Sequence, residues 1–294
     1  ESLIAFSNNK FYDNSLLTFP SPTNDEKAVS YRYVKGLYER GRGVNRNEAK
    51  EVVKEILRRL KDKELRTHSI GVITFNEAQQ NVIEDMLDKE TSKLGNGNLE
   101  PGGEKIFIKN LENVQGDERD VILFSTTYGP DKNGTISLNF GPLSLKKGER
   151  RLNVAVSRAR EEMIVFSSLN PADIKAERAK NAGAQYLKDF LSFAKFGYDY
   201  LPFNASNLEK REIGVEKYLA EDIRKLGYCV EENLGESSFK IDLAISLKEK
   251  PSEYLLGVLL DNEHFANMTC RDRNINEPNI LHRLGWNLCH IYAV

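Results

Sequence analysis

Three stretches of this chain gather residue types that can handle phosphate. Asn113-Val114-Gln115-Gly116-Asp117-Glu118-Arg119-Asp120 runs straight into the apolar Val121-Ile122-Leu123-Phe124-Ser125. Arg150-Arg151-Leu152-Asn153-Val154-Ala155-Val156-Ser157-Arg158-Ala159-Arg160 concentrates arginines, and Phe6-Ser7-Asn8-Asn9-Lys10-Phe11-Tyr12 mixes amides with aromatics near the start. Arginine offers a planar fork of donors that never loses its charge, a match for phosphate oxygens. Glycine lets backbone approach a ligand closely, and a carboxylate beside it can accept hydrogen bonds from a sugar hydroxyl. Thr74, Ser125 and Thr126 end apolar runs, where hydroxyls and backbone N–H groups can hold a single-strand phosphate. Each stretch also has a plain reading: a turn before a strand, a solvated arginine face on an amphipathic helix, or a simple strand end.

The elements around these residues follow from apolar spacing. Residues 47–60 read as a helix capped by Asn47, with Val52, Val53, Ile56, Leu57 and Leu60 on one stripe. Ile70–Thr74 is a strand, 77–87 a helix, 106–108 and 121–125 strands, 149–162 a helix and 163–167 a strand. Strands alternating with helices imply a parallel α/β sheet. At Asn170-Pro171 the pattern changes into a polar helical stretch, 172–196, which sets the expected domains as 1–169, a linker 170–206, and 207–294. In the last part the reading is a helix over 207–226 carrying Glu216, a hairpin of 239–245 and 254–260 carrying Asp242 and leading to Asp261, a helix over 279–284, and a strand over 287–292.

Composition narrows the classes. With 42 Lys+Arg against 44 Asp+Glu, the net charge of -2 excludes a bulk polycation that coats nucleic acid by charge alone, so any such contact needs a local patch. No apolar run approaches the roughly 20 residues that span a bilayer, and the start has no signal-peptide character, so a cytoplasmic protein without a membrane partner is expected. Cys229, Cys270 and Cys289 lie far apart with no CxxC pair, which favours buried or half-buried thiols in a reducing compartment.

Taken together and in this order, the three stretches resemble the second RecA-like domain of superfamily 1 helicases, in the branch of the nonsense-mediated-decay RNA helicase and related bacterial proteins. The likeness covers roughly residues 1–169 and includes Ile70–Thr74 and Gly148–Val154. It implies that Arg158 is an arginine finger, that Gln115, Gly116 and Glu118 form the nucleotide-sensing loop, and that Asn9, Tyr12, Thr74, Ser125 and Thr126 contact nucleic acid, with DNA favoured over RNA. It also implies ATP and Mg²⁺ as cofactors. No G-x-x-x-x-G-K-[ST] phosphate loop occurs in the chain. In such helicases that loop belongs to an upstream RecA-like domain, so the expectation is a piece of a longer protein that does not hydrolyse ATP by itself.

Residues 207–294 resemble restriction-endonuclease-like domains of the very-short-patch-repair and PD-(D/E)xK type. The resemblance makes Asp242 the first candidate metal ligand, Asp261 the second and Glu216 a supporting catalytic acid, since two or three converging carboxylates hold Mg²⁺ in such sites. Where relatives read Ile-Glu-Cys-Asp-Gly, this chain reads Val258-Leu259-Leu260-Asp261-Asn262. Leu259 cannot ligate a metal, and Glu263 or another acid would have to replace it. A nuclease and a degenerate binding module therefore both remain open. Of the other residues, His264 and His282 read as ordinary surface or core histidines, and Trp286 as an anchor of a small core.

Overall fold

A computed structural model describes residues 2–23, 28–93, 100–201, 215–235, 237, 239–261 and 269–292. Packing divides them into two compact units, one made of residues 2–7 and 27–201, the other of residues 8–26 and 202–294. Residues 8–26, read from sequence as part of the first domain, thus cluster with the tail.

The larger unit is a five-stranded parallel sheet in the order β1-β5-β4-β2-β3, formed by β1 (Val29–Tyr33), β2 (Ile70–Thr74), β3 (Phe107–Asn110), β4 (Arg119–Ser125) and β5 (Ala159–Ser167). Helices α2 (Arg46–Lys61) and α3 (Glu77–Lys93) bury Val52, Val53, Ile56 and Ile83 against Ile70, Val72, Leu123 and Ile164. An aromatic cluster holds α5 (Gly183–Phe196): Phe190 meets Phe6 of helix α1 (Ser2–Phe11) and Phe124 of β4 edge-on, at 5.3 and 5.6 Å. Strands buried on both faces read as continuous apolar runs, as Val121–Phe124 does.

Two expected elements shift. The cap of α2 is Asn45, whose side chain accepts from the Glu48 N–H, while Asn47 reaches back to the Lys35 carbonyl. The helix expected over 149–162 stops as α4 (Gly148–Val156), and Ala159–Glu162 joins β5, where Arg119 pairs with Ala159 and Val121 with Glu162. The Arg-Glu-Glu run has helical propensity, but strand pairing overrides it.

The smaller unit is a four-stranded sheet, β6 (Cys229–Leu234), β7 (Ile241–Leu247), β8 (Lys250–Leu260) and β9 (Leu288–Ile291), in that order; β7 runs antiparallel to both β6 and β8, and β9 lies parallel to β8. Helix α6 (Val215–Lys225) covers an apolar cluster of Ala220, Leu243, Ile245, Val258 and Leu260. A second cluster joins Ile241, Tyr254 and Leu259 to Trp286 and to Leu281 of α7 (Glu277–Arg283). Strand β6 was not expected. Cys229 is half-buried, but Cys270 and Cys289 are exposed, contrary to the reading of three sheltered thiols. Among the described residues no helix is long and apolar enough to cross a membrane.

Candidate functional site

The sheet of the larger unit offers two edges with different chemistry. At the edge where β4 and β5 begin, the Gln115 loop and Arg158 come together: the Arg119 N–H donates to the Arg158 carbonyl at 3.2 Å, just where the two strands enter the sheet. Gln115, Gly116 and Glu118 are exposed. Gly116 has φ +89 with open space where a Cβ would stand, so its need for glycine is conformational. The Arg158 guanidinium is set by its own helix end, Nε donating to the Val154 carbonyl at 2.8 Å and Nη2 to the Ser157 hydroxyl at 2.9 Å. No carboxylate of the described residues forms an ion pair with it, so its charge is oriented but not cancelled.

The loop before β4 is held at both ends. Lys109 of β3 pairs with Asp117 at 2.7 Å. Arg160 of β5 reaches Glu118 at 3.0 Å, Glu104 at 3.1 Å and Asp120 at 3.3 Å. Hydrogen bonds to Glu104 and then Glu118 raise the Arg160 pKa. Asp120 in turn accepts the Ser69 N–H and hydroxyl at 2.8 and 2.7 Å; burial pushes its carboxyl up, but these bonds and Arg160 prevail and lower it. Glu118, expected to be available to a ribose, is thus engaged with Arg160. Deeper, the buried Arg59 of α2 binds Glu55 and Glu162, anchoring the first half of β5. Burial pushes Glu55 up, but Arg58, Arg32 and Arg59 bring it down to about 2.

The opposite edge is closed. Thr74, Ser125 and Thr126 all have 0% exposure, so their hydroxyls do not face solvent. Thr74 donates to the Asn76 carbonyl. Ser125 Oγ and the Thr127 N–H donate to one oxygen of Glu48 at 2.8 Å each, and the Ser168 N–H to the other at 2.7 Å, joined by Asn45 and Thr126 at 3.2 and 3.4 Å. Burial pushes the Glu48 carboxyl up to about 7 against these bonds. Thr127, β-branched, is held at φ +68, a strained conformation that this carboxylate fixes. The sequence reading gave Glu48 no role at the site; the Asn45-x-x-Glu48 spacing of a capping box was the usable signal. Arg160 and Asp120 lie within the stretches it singled out, but it gave neither a role of its own.

Asn9 is half-buried and Tyr12 is 42% exposed; both belong to the smaller unit, as do the acids of the tail. Asp242 is 5% exposed and accepts the Leu260 N–H at 2.7 Å. Asp261 stands exposed at the end of β8, its N–H donating to the Ile291 carbonyl, and Glu216 is half-buried in the first turn of α6. Leu259 is 8% exposed in the core cluster with Trp286. Among the described residues no three His, Cys, Asp or Glu side chains gather as a metal site. Asp242, Asp261 and Glu216 thus do not form such a group of three; Glu263 and His264 lie outside the described residues. Trp286 anchors the small core at 2% exposure, and His282 lies against the Trp286 carbonyl.

The larger unit is thus a parallel α/β domain with an oriented arginine beside a glycine loop, followed by a separate mixed sheet. A family model described as an AAA domain matches residues 1–170, and a restriction-endonuclease-type model, REase_MTES_1575, matches residues 215–294. The chain belongs to this AAA-domain family of ATP-dependent helicases and carries a restriction-endonuclease-like domain behind it. It is similar to an uncharacterized ATP-dependent helicase of Mycoplasma pneumoniae (29% identity, 99% of this chain and 27% of that protein) and to another of Mycoplasma genitalium (35%, 66% and 17%). It is also similar to a regulator of nonsense transcripts 1 homolog of Drosophila melanogaster (29% identity, 64% and 16%). The chain thus spans about a quarter or less of the length of these relatives.

Proposed function

We propose that residues 1–169 act as the second RecA-like half of an ATP-dependent helicase or translocase, joined through 170–206 to a tail domain over 207–294, and that Arg158 is its arginine finger. One observation carries this reading: an oriented guanidinium with no acidic partner among the described residues sits on the same sheet edge as the exposed Gln115–Glu118 loop. Bound there with Mg²⁺, and gripped by an upstream RecA-like domain, ATP would supply a γ-phosphoryl group whose developing charge needs a cation. The Val154 carbonyl and Ser157 hydroxyl hold Arg158 in place before nucleotide arrives, so little is lost in ordering it. Gln115 and Glu118 would read the nucleotide, Glu118 exchanging its bond to Arg160 for the sugar. The substrate is single- or double-stranded nucleic acid, with DNA favoured over RNA on the strength of the fused tail. In a protein that includes the upstream half, Arg158→Ala should lower kcat for ATP by about 10³-fold or more while leaving ATP affinity within a few-fold; unchanged turnover in a steady-state assay would remove the assignment.

For the tail, the placement of the acids favours a binding module over a metal-dependent endonuclease. Leu259 packs into the core where relatives carry a carboxylate, and the buried Asp242 spends an oxygen on a backbone N–H. Incubation of the chain with Mg²⁺ or Mn²⁺ and plasmid DNA should give no cleavage above background. Cleavage that Asp242→Ala abolishes would restore the endonuclease reading.

A further inference from the structure

The second apolar cluster of the tail sheet is incomplete without a stretch of chain more than two hundred residues away in sequence. Phe19 packs against it, its ring 4.7 Å from that of Phe239, in the cluster that also contains Tyr254, Leu259 and Trp286. On either side of Phe19 the backbone is gripped at alternate residues. The Thr18 N–H donates to Ser237 Oγ at 3.0 Å, and that hydroxyl donates back to the Thr18 carbonyl at 2.8 Å. Trp286 Nε1 donates to the Pro20 carbonyl at 2.8 Å, the Tyr254 N–H to the Pro22 carbonyl at 2.7 Å, and Thr23 bridges Glu253 in antiparallel fashion.

This is recognition of an extended peptide, with backbone contacts at every second residue and a side-chain pocket for the residue between. Prolines carry a carbonyl but no N–H, and at positions 20 and 22 the sheet asks only for a carbonyl. Ahead of the strap, the Asn8 side chain closes on Leu16 from both sides, accepting its N–H at 2.9 Å and donating to its carbonyl at 3.1 Å. The strap therefore begins at a residue of the Phe6–Tyr12 motif.

We propose that this face of the tail sheet is a clamp for an extended, proline-containing apolar segment, and that its resident occupant is the chain's own Leu16–Thr23. The clamp fixes the segment that follows the Phe6–Tyr12 motif to the tail, and it does so independently of any ATP chemistry.

Trp286 is the only tryptophan of the chain, which makes its emission a direct reporter of strap docking. In the whole chain, Phe19→Ala should shift that emission to the red. A fluorescein-labelled peptide with the sequence of residues 15–23 should then bind the Phe19→Ala chain at least tenfold tighter than the wild type, whose clamp is filled, and should move the emission back toward the blue. Ser237→Ala removes both bonds to Thr18 and a longer one from the Phe239 N–H while leaving every side chain of the apolar cluster in place, and gives the same readout at intermediate strength should Phe19→Ala fail to fold. Equal peptide binding by wild type and both variants, or no binding by either variant, would overturn the proposal.

Discussion

Arg158 and Arg160 are two residues apart and have opposite fates. Arg158 is bound by a carbonyl and a hydroxyl, which orient the guanidinium without neutralising it. Arg160 meets three carboxylates and holds the loop between them. A cation spent on structure cannot also be offered to a phosphate, so the two should separate kinetically. In a protein with its upstream half, Arg160→Ala should raise KM for ATP several-fold with kcat changed by less than about 3-fold, because the loop loosens while the finger stays. Its cost in thermal stability should be small, under about 1 kcal/mol, because the Arg160 side chain is 41% exposed and exposed pairs contribute little. A kcat loss equal to that of Arg158→Ala would show that the division of roles is wrong.

At the scale of the element, the first turn of α2 seals one end of the parallel sheet. Each Glu48 oxygen accepts a backbone N–H, from Thr127 and from Ser168, and neither donor can turn round to accept. In Glu48→Gln one face of the amide must meet an N–H with its own NH₂, which should cost about 1–3 kcal/mol. The pH dependence follows from the raised carboxyl. With the folded pKa at about 7, above the ordinary 4.5, the folded state keeps a proton that the unfolded chain has lost. Stability is therefore full below about pH 4.5 and falls as pH rises through 7, by about 3 kcal/mol at about 1.4 per pH unit. Melting curves from pH 5 to 8 should fall more steeply in the wild type than in Glu48→Gln, in which the Glu277 carboxyl, raised by burial to about 7, still contributes; parallel profiles would refute it. Much of this layer was legible in the sequence: Ile70–Thr74 reads as a buried strand and is one, and the alternation of strands and helices gives the parallel sheet. The Asn45 cap was signalled by its spacing to Glu48 but passed over for Asn47, and the end of α4 was not legible, because it is decided by a partner distant in sequence, Arg119 paired with Ala159. Thr74, Ser125 and Thr126 were correctly read as strand ends, but only the fold reveals a carboxylate from α2 lying across two of them.

For the molecule as a whole, the unusual feature is which end of the parallel sheet is open. Ligands of open α/β sheets commonly bind beyond the carboxyl ends of the strands. Here that end is filled by Glu48 and its donors, and the exposed glycine loop and free-standing arginine lie where β4 and β5 begin. In the proposed function such a domain lends a cation to a nucleotide held by another domain, a role that needs no phosphate loop within these residues. The tail, for its part, packs Leu259 into its core and takes up a strap of its own chain. The account stands or falls on Arg158 acting on the transferring phosphoryl group. Its most direct test is calorimetric binding of ADP and of ADP with aluminium fluoride and Mg²⁺, a mimic of the transition state, to a protein that includes the upstream half. The wild type should bind the mimic at least a hundredfold tighter than ADP, and Arg158→Ala should lose that preference while keeping its affinity for ADP; an undiminished preference in the variant would contradict the account.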